Sequence, residues 1–180
     1  VVRSTSGFDL IDDAALRVLI EKLFPLSTVI TPNIPEAERI TNTKIKTVED
    51  IRQAAEIMKN LGAKNVLIKG GHLPIVDLEY QKSETELSFS DDEKIRNQKS
   101  IDFLFMNGEE ITYSADFIET TATHGTGCTF AAAITACLAN GKDLRHAIES
   151  AKKFVTQAII TAPHLGKGNS PINHLIRFTD

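Results

Sequence analysis

Along the chain, short apolar runs alternate with stretches in which apolar positions recur every three or four residues. Leu16, Leu19, Ile20 and Leu23 stand at i, i+3, i+4 and i+7, predicting an amphipathic helix that Asp12 or Asp13 caps and Pro25 stops. Residues 28–32 (TVITP) predict a short strand running into Asn33 and Pro35. A second helix is predicted from Thr47, with Asp50 completing a capping box and Ile51, Ala54, Ala55, Met58 and Leu61 as its buried stripe. Gly62 stands where a left-handed C-terminal cap belongs. Residues 65–69 (NVLIK) predict another strand, ending at Gly70 and Gly71.

Two strand-like runs, 101–106 and 109–113, flank Asn107 and Gly108, a pair that accepts positive φ at both turn positions and so predicts a hairpin. Residues 126–140 are apolar nearly all round, predicting a helix buried on most sides and ended by Gly141. Asp143 then caps a last helix to Thr161, with Leu144, Ile148, Ala151, Val155, Ala158 and Ile159 on one face. Between Lys82 and Lys99 the periodicity fails in a run of charges, which predicts a mobile surface insertion over 82–99. The order of elements predicts an α/β fold: a largely parallel sheet flanked by helices, with one antiparallel hairpin, in a single domain over 1–180. No internal repeat is present, and residues 1–7 (VVRSTSG) read as a chain entered partway.

Composition narrows the partners. The 20 basic and 24 acidic side chains leave a net charge of −4, which offers no field to draw nucleic acid or an anionic membrane surface. No apolar run approaches the ~20 residues of a membrane-spanning helix, and no leader pattern opens the sequence. Cys128 and Cys137 lie about 13.5 Å apart along the axis of one predicted helix, too far for a disulfide. A soluble chain of a reducing, cytoplasmic compartment is the expectation.

The candidate chemistry sits at strand and helix ends. In residues 124–129 (HGTGCT), Gly125 and Gly127 let the backbone turn tightly around Thr126, and the next helix presents unpaired N–H groups and its positive dipole end. Such a place suits a phosphate or a developing negative charge. Cys128 falls at the helix start, a position that favours a thiolate and suits a group taking a proton from a substrate hydroxyl. The alternative is an inert core cysteine, which is the reading for Cys137. No Gly-Lys-Ser/Thr ends the segment, so it is not a Walker loop.

Lys69 ends a strand before two glycines, where its ammonium can reach a phosphate at the sheet's carboxyl edge or snorkel along the surface. Asn33 and Glu36 offer hard oxygen donors suited to Mg²⁺, directly or through water. Glu36 also reads as an acid favoured by a helix N-terminus. Taken together, an oxygen site, a cation and an amide cradle beside a base are the parts of phosphoryl transfer.

The runs TPNIPEAE, VLIKGGHL and THGTGCT, in that order, closely resemble the hydroxymethylpyrimidine/phosphomethylpyrimidine kinases of thiamine biosynthesis, within the ribokinase-like superfamily. Residues 166–174 (GKGNSPINH) are similar to that family's GxGP-x-NH ending, with extra residues before Pro171. The resemblance runs from Ser4 to His174, interrupted by the polar insertion. It implies an ATP- and Mg²⁺-dependent kinase of hydroxymethylpyrimidine and its monophosphate. Asn33 and Glu36 would organise Mg²⁺ and its waters, Lys69 would stabilise the transferring phosphate, and Gly125, Thr126 and Gly127 would form the anion hole. Cys128 would be the base acting on the hydroxymethyl group, where related sugar kinases carry aspartate. A pyridoxal kinase and a non-catalytic remnant with weak nucleotide binding are the alternatives. Family members also carry N-terminal residues that grip the pyrimidine and are not in this sequence. Low turnover, and self-association as a homo-oligomer through an exposed sheet edge, are therefore expected of these 180 residues.

Overall fold

The structure is a computed structural model that describes Val2, residues 10–71 and residues 99–177. Residues 82–98 of the expected insertion, residues 3–7 of the opening run, and His72 and Leu73 lie outside the described residues. Lys99, assigned to the insertion from sequence, instead opens a strand. The chain forms two compact units, Val1–Phe117 and Ile118–Asp180.

In the first unit, helix α1 (Asp13–Val18) starts where the Asp12 side chain accepts the N–H of Ala15. It continues as a π-helical turn, Leu19–Leu23, and closes in a 3₁₀ turn, Phe24–Leu26, that contains Pro25. A π turn holds more residues than an α turn and so rotates the apolar face. Leu16 and Phe24 are buried, whereas Leu23, predicted for the stripe, is exposed.

Helix α2 (Ile34–Thr41) follows Asn33, and α3 (Val48–Asn60) follows Thr47. The predicted capping box of α3 is present: the Thr47 hydroxyl accepts the Asp50 N–H at 3.1 Å, and the Asp50 carboxylate accepts the Thr47 N–H at 2.9 Å. Ile51, Ala54, Ala55 and Met58 are fully buried. Gly62, at φ +106°, donates to the carbonyl of Lys59, and Ala63 donates to that of Met58, closing the helix as predicted. Leu61 is the exception to the predicted stripe: as the cap residue beyond the last turn, it is exposed.

Strands β1 (Val66–Lys69), β2 (Lys99–Met106) and β3 (Glu109–Asp116) form an antiparallel sheet in the order β1-β2-β3. Asn107 and Gly108 both take positive φ in the β2–β3 turn, as the hairpin signal predicts. Parallel pairing involves residues 28–33 alongside β1. Ile30 donates to the carbonyl of Asn65, while the carbonyls of Ile30 and Pro32 accept from Leu67 and Lys69. Bridges join Ile30 to Val66 and Asn33 to Lys69. Pro32 has no N–H to give, so the ladder is interrupted and the predicted 28–32 strand is reduced to isolated bridges. Val66, Ile68, Phe103 and Phe105 line one sheet face and share a core with the buried sides of α2 and α3.

In the second unit, α4 (Thr126–Ala139) and α5 (Leu144–Ile160) pack together. Helix α4 buries Phe130, Ala133, Ile134 and Cys137, while Ala132, Thr135, Ala136 and Ala139 are exposed. The expected burial on most sides is thus corrected to one stripe. The uniform apolarity comes largely from alanines, which carry little area and sit on surfaces as readily as in cores. Asp143 caps α5 by accepting the His146 N–H at 3.1 Å. Both cysteines are free thiols, Cys137 buried and Cys128 exposed. Among the described residues no helix is long and apolar enough to cross a membrane.

The Asp50 carboxylate is held below the ordinary aspartate range by the N–H groups of Lys46 and Thr47 and by the Thr47 hydroxyl. A depressed carboxylate contributes stability above its unfolded-state value and loses it as pH falls through the lower folded value. Asp50→Asn should therefore be less stable than the parent at neutral pH, with the difference shrinking in acid. Urea melts of both proteins at falling pH check this; a constant difference would contradict it.

Candidate phosphate and metal site

The N-terminus of α2 is built by a reciprocal pair. The Asn33 side-chain oxygen accepts the Glu36 N–H at 2.8 Å, and Glu36 Oε2 accepts the Asn33 N–H at 3.0 Å. The other carboxylate oxygen, Oε1, accepts the Val2 N–H at 3.0 Å, and the residue is 7% exposed. Of the two roles open to Glu36 from sequence, the helix-terminal acid is therefore visible directly. Each oxygen retains a second lone pair, and one buried carboxylate is a donor that suits a hydrated Mg²⁺ held through its waters and a phosphate. Among the described residues no group of three His, Cys, Asp or Glu side chains could hold a metal unaided. The residues thus fit Mg²⁺ as an ion carried largely by water and substrate.

Lys69 lies at the carboxyl end of β1, with its N–H donating to Pro32. Its bridge to Asn33 sets the two residues abreast, so the structure brings together the predicted cation and the predicted oxygen site. On the other side the β1–β2 register sets Asp102 opposite Lys69. Asp102 is 4% exposed, and its Oδ1 accepts the N–H of Gly70 at 3.2 Å. The same N–H donates to the Ile101 carbonyl at 3.0 Å. A Cβ on Gly70 would stand 2.0 Å from that carbonyl oxygen, which is why glycine follows Lys69. Sequence reasoning missed Asp102; its signal was a lone acid inside an apolar strand.

In the second unit Gly125 is the N-cap of α4 at φ +87°, a conformation that favours glycine. The Thr126 N–H and hydroxyl both donate to the carbonyl of Thr123, and Thr129 donates to that of Gly125. Among the described residues the amides of Gly125, Gly127 and Cys128 meet no acceptor. They are the orphan donors of a helix N-terminus, gathered with the exposed Cys128 in one turn.

The C-terminal tail holds this turn in place. His124 donates to the Ser170 carbonyl at 3.2 Å and accepts from Ile172 at 3.4 Å, while Asn173 donates to Ala158 near the end of α5. His174 Nε2 lies 2.9 Å from the Thr129 hydroxyl. In sequence, residues 166–174 carry a resemblance but no signal that gives His174 a task.

Comparison with known proteins places the chain in a family. The profile of the family described as "Phosphomethylpyrimidine kinase" matches residues 1–173. The thiamine biosynthesis bifunctional protein ThiED of Geobacter sulfurreducens is 42% identical over all 180 residues, which cover 32% of that protein. A hydroxymethylpyrimidine/phosphomethylpyrimidine kinase of Staphylococcus aureus is 40% identical over 97% of this chain and 56% of its own length. Among solved structures, an ADP complex of Bacillus subtilis pyridoxal kinase superposes with a TM-score of 0.74 at 34% identity, covering 92% of this chain and 56% of that one. The fold is that of the ribokinase-like kinases, and the chain spans about half the length of the kinases it matches.

Gly70→Ala should destabilise the protein by about 1–3 kcal/mol, the usual cost of forcing extra atoms into a packed site. Gly168→Ala, which meets open space, is the control. Chemical denaturation of the two variants checks the contrast, and equal stabilities would contradict it.

Proposed function

Because the chain belongs to the phosphomethylpyrimidine kinase family, we propose that it serves the ATP- and Mg²⁺-dependent phosphorylation of hydroxymethylpyrimidine and its monophosphate in thiamine biosynthesis. The observation that carries this reading is the set of acceptor-less amides at Gly125, Gly127 and Cys128, at the positive end of α4, with a thiol in the same turn. Both units are read as parts of one ribokinase-like kinase domain over 1–180, working in the cytoplasm on small-molecule substrates.

Each residue has a defined task in that reaction. Residues 125–127 form the cradle: the open amides of Gly125 and Gly127, joined by that of Cys128, receive the charge of the transferring phosphoryl group, and Thr126, whose own N–H is held by the Thr123 carbonyl, shapes the turn. Lys69 offers a point charge to a nucleotide phosphate. Glu36 and Asn33 orient the waters of Mg²⁺, an ion that neutralises phosphate charge when bound. In the first phosphorylation the hydroxyl oxygen of hydroxymethylpyrimidine bonds to the γ-phosphorus as the bond to the β–γ bridging oxygen breaks; with the monophosphate the attacking atom is a phosphate oxygen. The hydroxyl proton passes to Cys128 Sγ, and ADP leaves.

The likeness to pyridoxal kinase favours a second acceptor. Pyridoxal also presents a primary alcohol on a nitrogen heteroaromatic ring, so the same phosphate machinery would serve it. Parallel assays with the two alcohols decide between them by the ratio of kcat/KM.

The test follows ADP release from ATP-Mg²⁺ with hydroxymethylpyrimidine, and then the effect of Cys128→Ala. The variant should lose about 10²–10⁴-fold in kcat, the usual share of a positioned acid or base, while binding ADP as the parent does. Near-parental kcat in the variant would remove Cys128 from the proton transfer. A parent chain that binds ADP and turns over neither alcohol would leave the nucleotide-binding remnant as the reading.

A further inference from the structure

We infer that His174 is a positioning residue for the 125–128 turn: its ring, anchored in the C-terminal tail, holds the Thr129 hydroxyl and so fixes the first turn of α4. The inference rests on the kinase reading for the purpose of the open amides, and the contact itself stands on geometry.

The tail grips the turn at two points. Before it, the His124 N–H donates to the Ser170 carbonyl and the His124 carbonyl accepts from Ile172, bonds that bridge His124 to Pro171. After it, His174 Nε2 lies 2.9 Å from the Thr129 hydroxyl. The open amides of Gly125, Gly127 and Cys128 stand in sequence between these two points. The first grip is made by backbone and survives a change of side chain. The second depends on His174.

Position 174 is itself well held. Asn173 donates its N–H to the Ala158 carbonyl and its side-chain amide to the Thr161 hydroxyl at 3.3 Å. The Asn173 side-chain oxygen accepts the Leu175 N–H at 3.0 Å. Both neighbours of His174 are thus tied down, and the ring rests beside Gly125, where a Cβ would stand 3.9 Å from Cε1 and 4.0 Å from Nε2. Gly125 and Thr129, four positions apart, lie on one helix face, and the Thr129 N–H closes that turn on the Gly125 carbonyl at 2.9 Å. His174 therefore lies along the face that the turn's own hydrogen bond spans.

Other threonines show what the contact replaces. Thr41, Thr135 and Thr161 each turn the hydroxyl back to the carbonyl four residues earlier, at 2.8, 2.9 and 2.8 Å. The corresponding carbonyl for Thr129 is that of Gly125. Such a back-bond bends a helix, and here it would bend the turn that carries the open amides. The His174 ring engages the hydroxyl instead. His174 is exposed and Thr129 half-buried, so the bond exchanges for one to water and adds little to folding. Its effect is local, on the direction of N–H groups that are to converge on one anion.

The test uses the ¹⁵N-labelled 180-residue chain. Residual dipolar couplings read the N–H directions of the free protein, and a titration gives affinity for a non-hydrolysable ATP analogue with Mg²⁺. His174→Ala should change the Gly125, Gly127 and Cys128 couplings and lower affinity about fivefold, the scale of one net hydrogen bond, while the urea midpoint stays at the parent's value. His174→Gln, whose side-chain amide can reach the same hydroxyl, should restore couplings and affinity in part. Thr129→Val keeps the ring and removes the bond. It should lower affinity alike, and His174→Ala added to it should cost nothing more. Couplings or affinity left at the parent's values in His174→Ala would overturn the inference. A further loss when His174 is removed from the Thr129→Val chain would also overturn it, since His174 would then act on the anion itself. Parental amides that ignore the analogue would defeat the phosphate reading, and the free-chain couplings then decide the positioning alone. Should His174→Ala not fold, Thr129→Val decides, and parental couplings in that variant overturn the inference.

Discussion

Everything in the first unit's site hangs on where the backbone donors at the end of β1 find acceptors. Buried N–H groups must be paired, and three such demands meet here. The Lys69 N–H goes to Pro32, the Gly70 N–H is shared between Ile101 and Asp102, and the Asn33 N–H goes to Glu36. Pro32 accepts but cannot donate, so the parallel run ends and the chain turns into α2 with Asn33 as its cap. The stop that breaks the ladder is thus also what sets an amide and an acid beside Lys69.

The second unit solves a different problem with a related device. A helix N-terminus that is to receive an anion must leave its amides unpaired, and the loop before it must then be held by something else. Here the holding is done by the tail, whose backbone bonds to both sides of His124 and whose Asn173 reaches the last turn of α5. Gly125 takes the left-handed turn, and His174 touches the hydroxyl of Thr129 rather than any of the open amides. Rigidity comes from the flanks, and the donors stay available.

Signals confined to a few adjacent residues were legible in the sequence. Asp12, the Thr47–Asp50 pair, Gly62 and Asn107–Gly108 each act through their own turn, and each does in the structure what its position predicts. Features that depend on distant pairing or on geometry within a helix were not. The π turn that exchanges Leu23 for Phe24 leaves no periodic mark, and the exposed alanines of α4 look in sequence like a buried helix. The facing of Asp102 and Lys69 comes from the β1–β2 register, which joins positions thirty-three apart in the sequence. Asn33, Glu36, Lys69 and the 125–128 turn stand out as candidates in the sequence because each follows a strand or opens a helix, where polar chemistry has a place in an α/β fold.

The central claim is that the open amides of α4 receive phosphate oxygens. It is tested most directly by amide NMR of the ¹⁵N-labelled chain during titration with a non-hydrolysable ATP analogue and Mg²⁺. The account predicts that the Gly125, Gly127 and Cys128 amide protons move downfield together and saturably, as amides do on donating to a charged acceptor. Saturable binding that leaves those three resonances in place would contradict it.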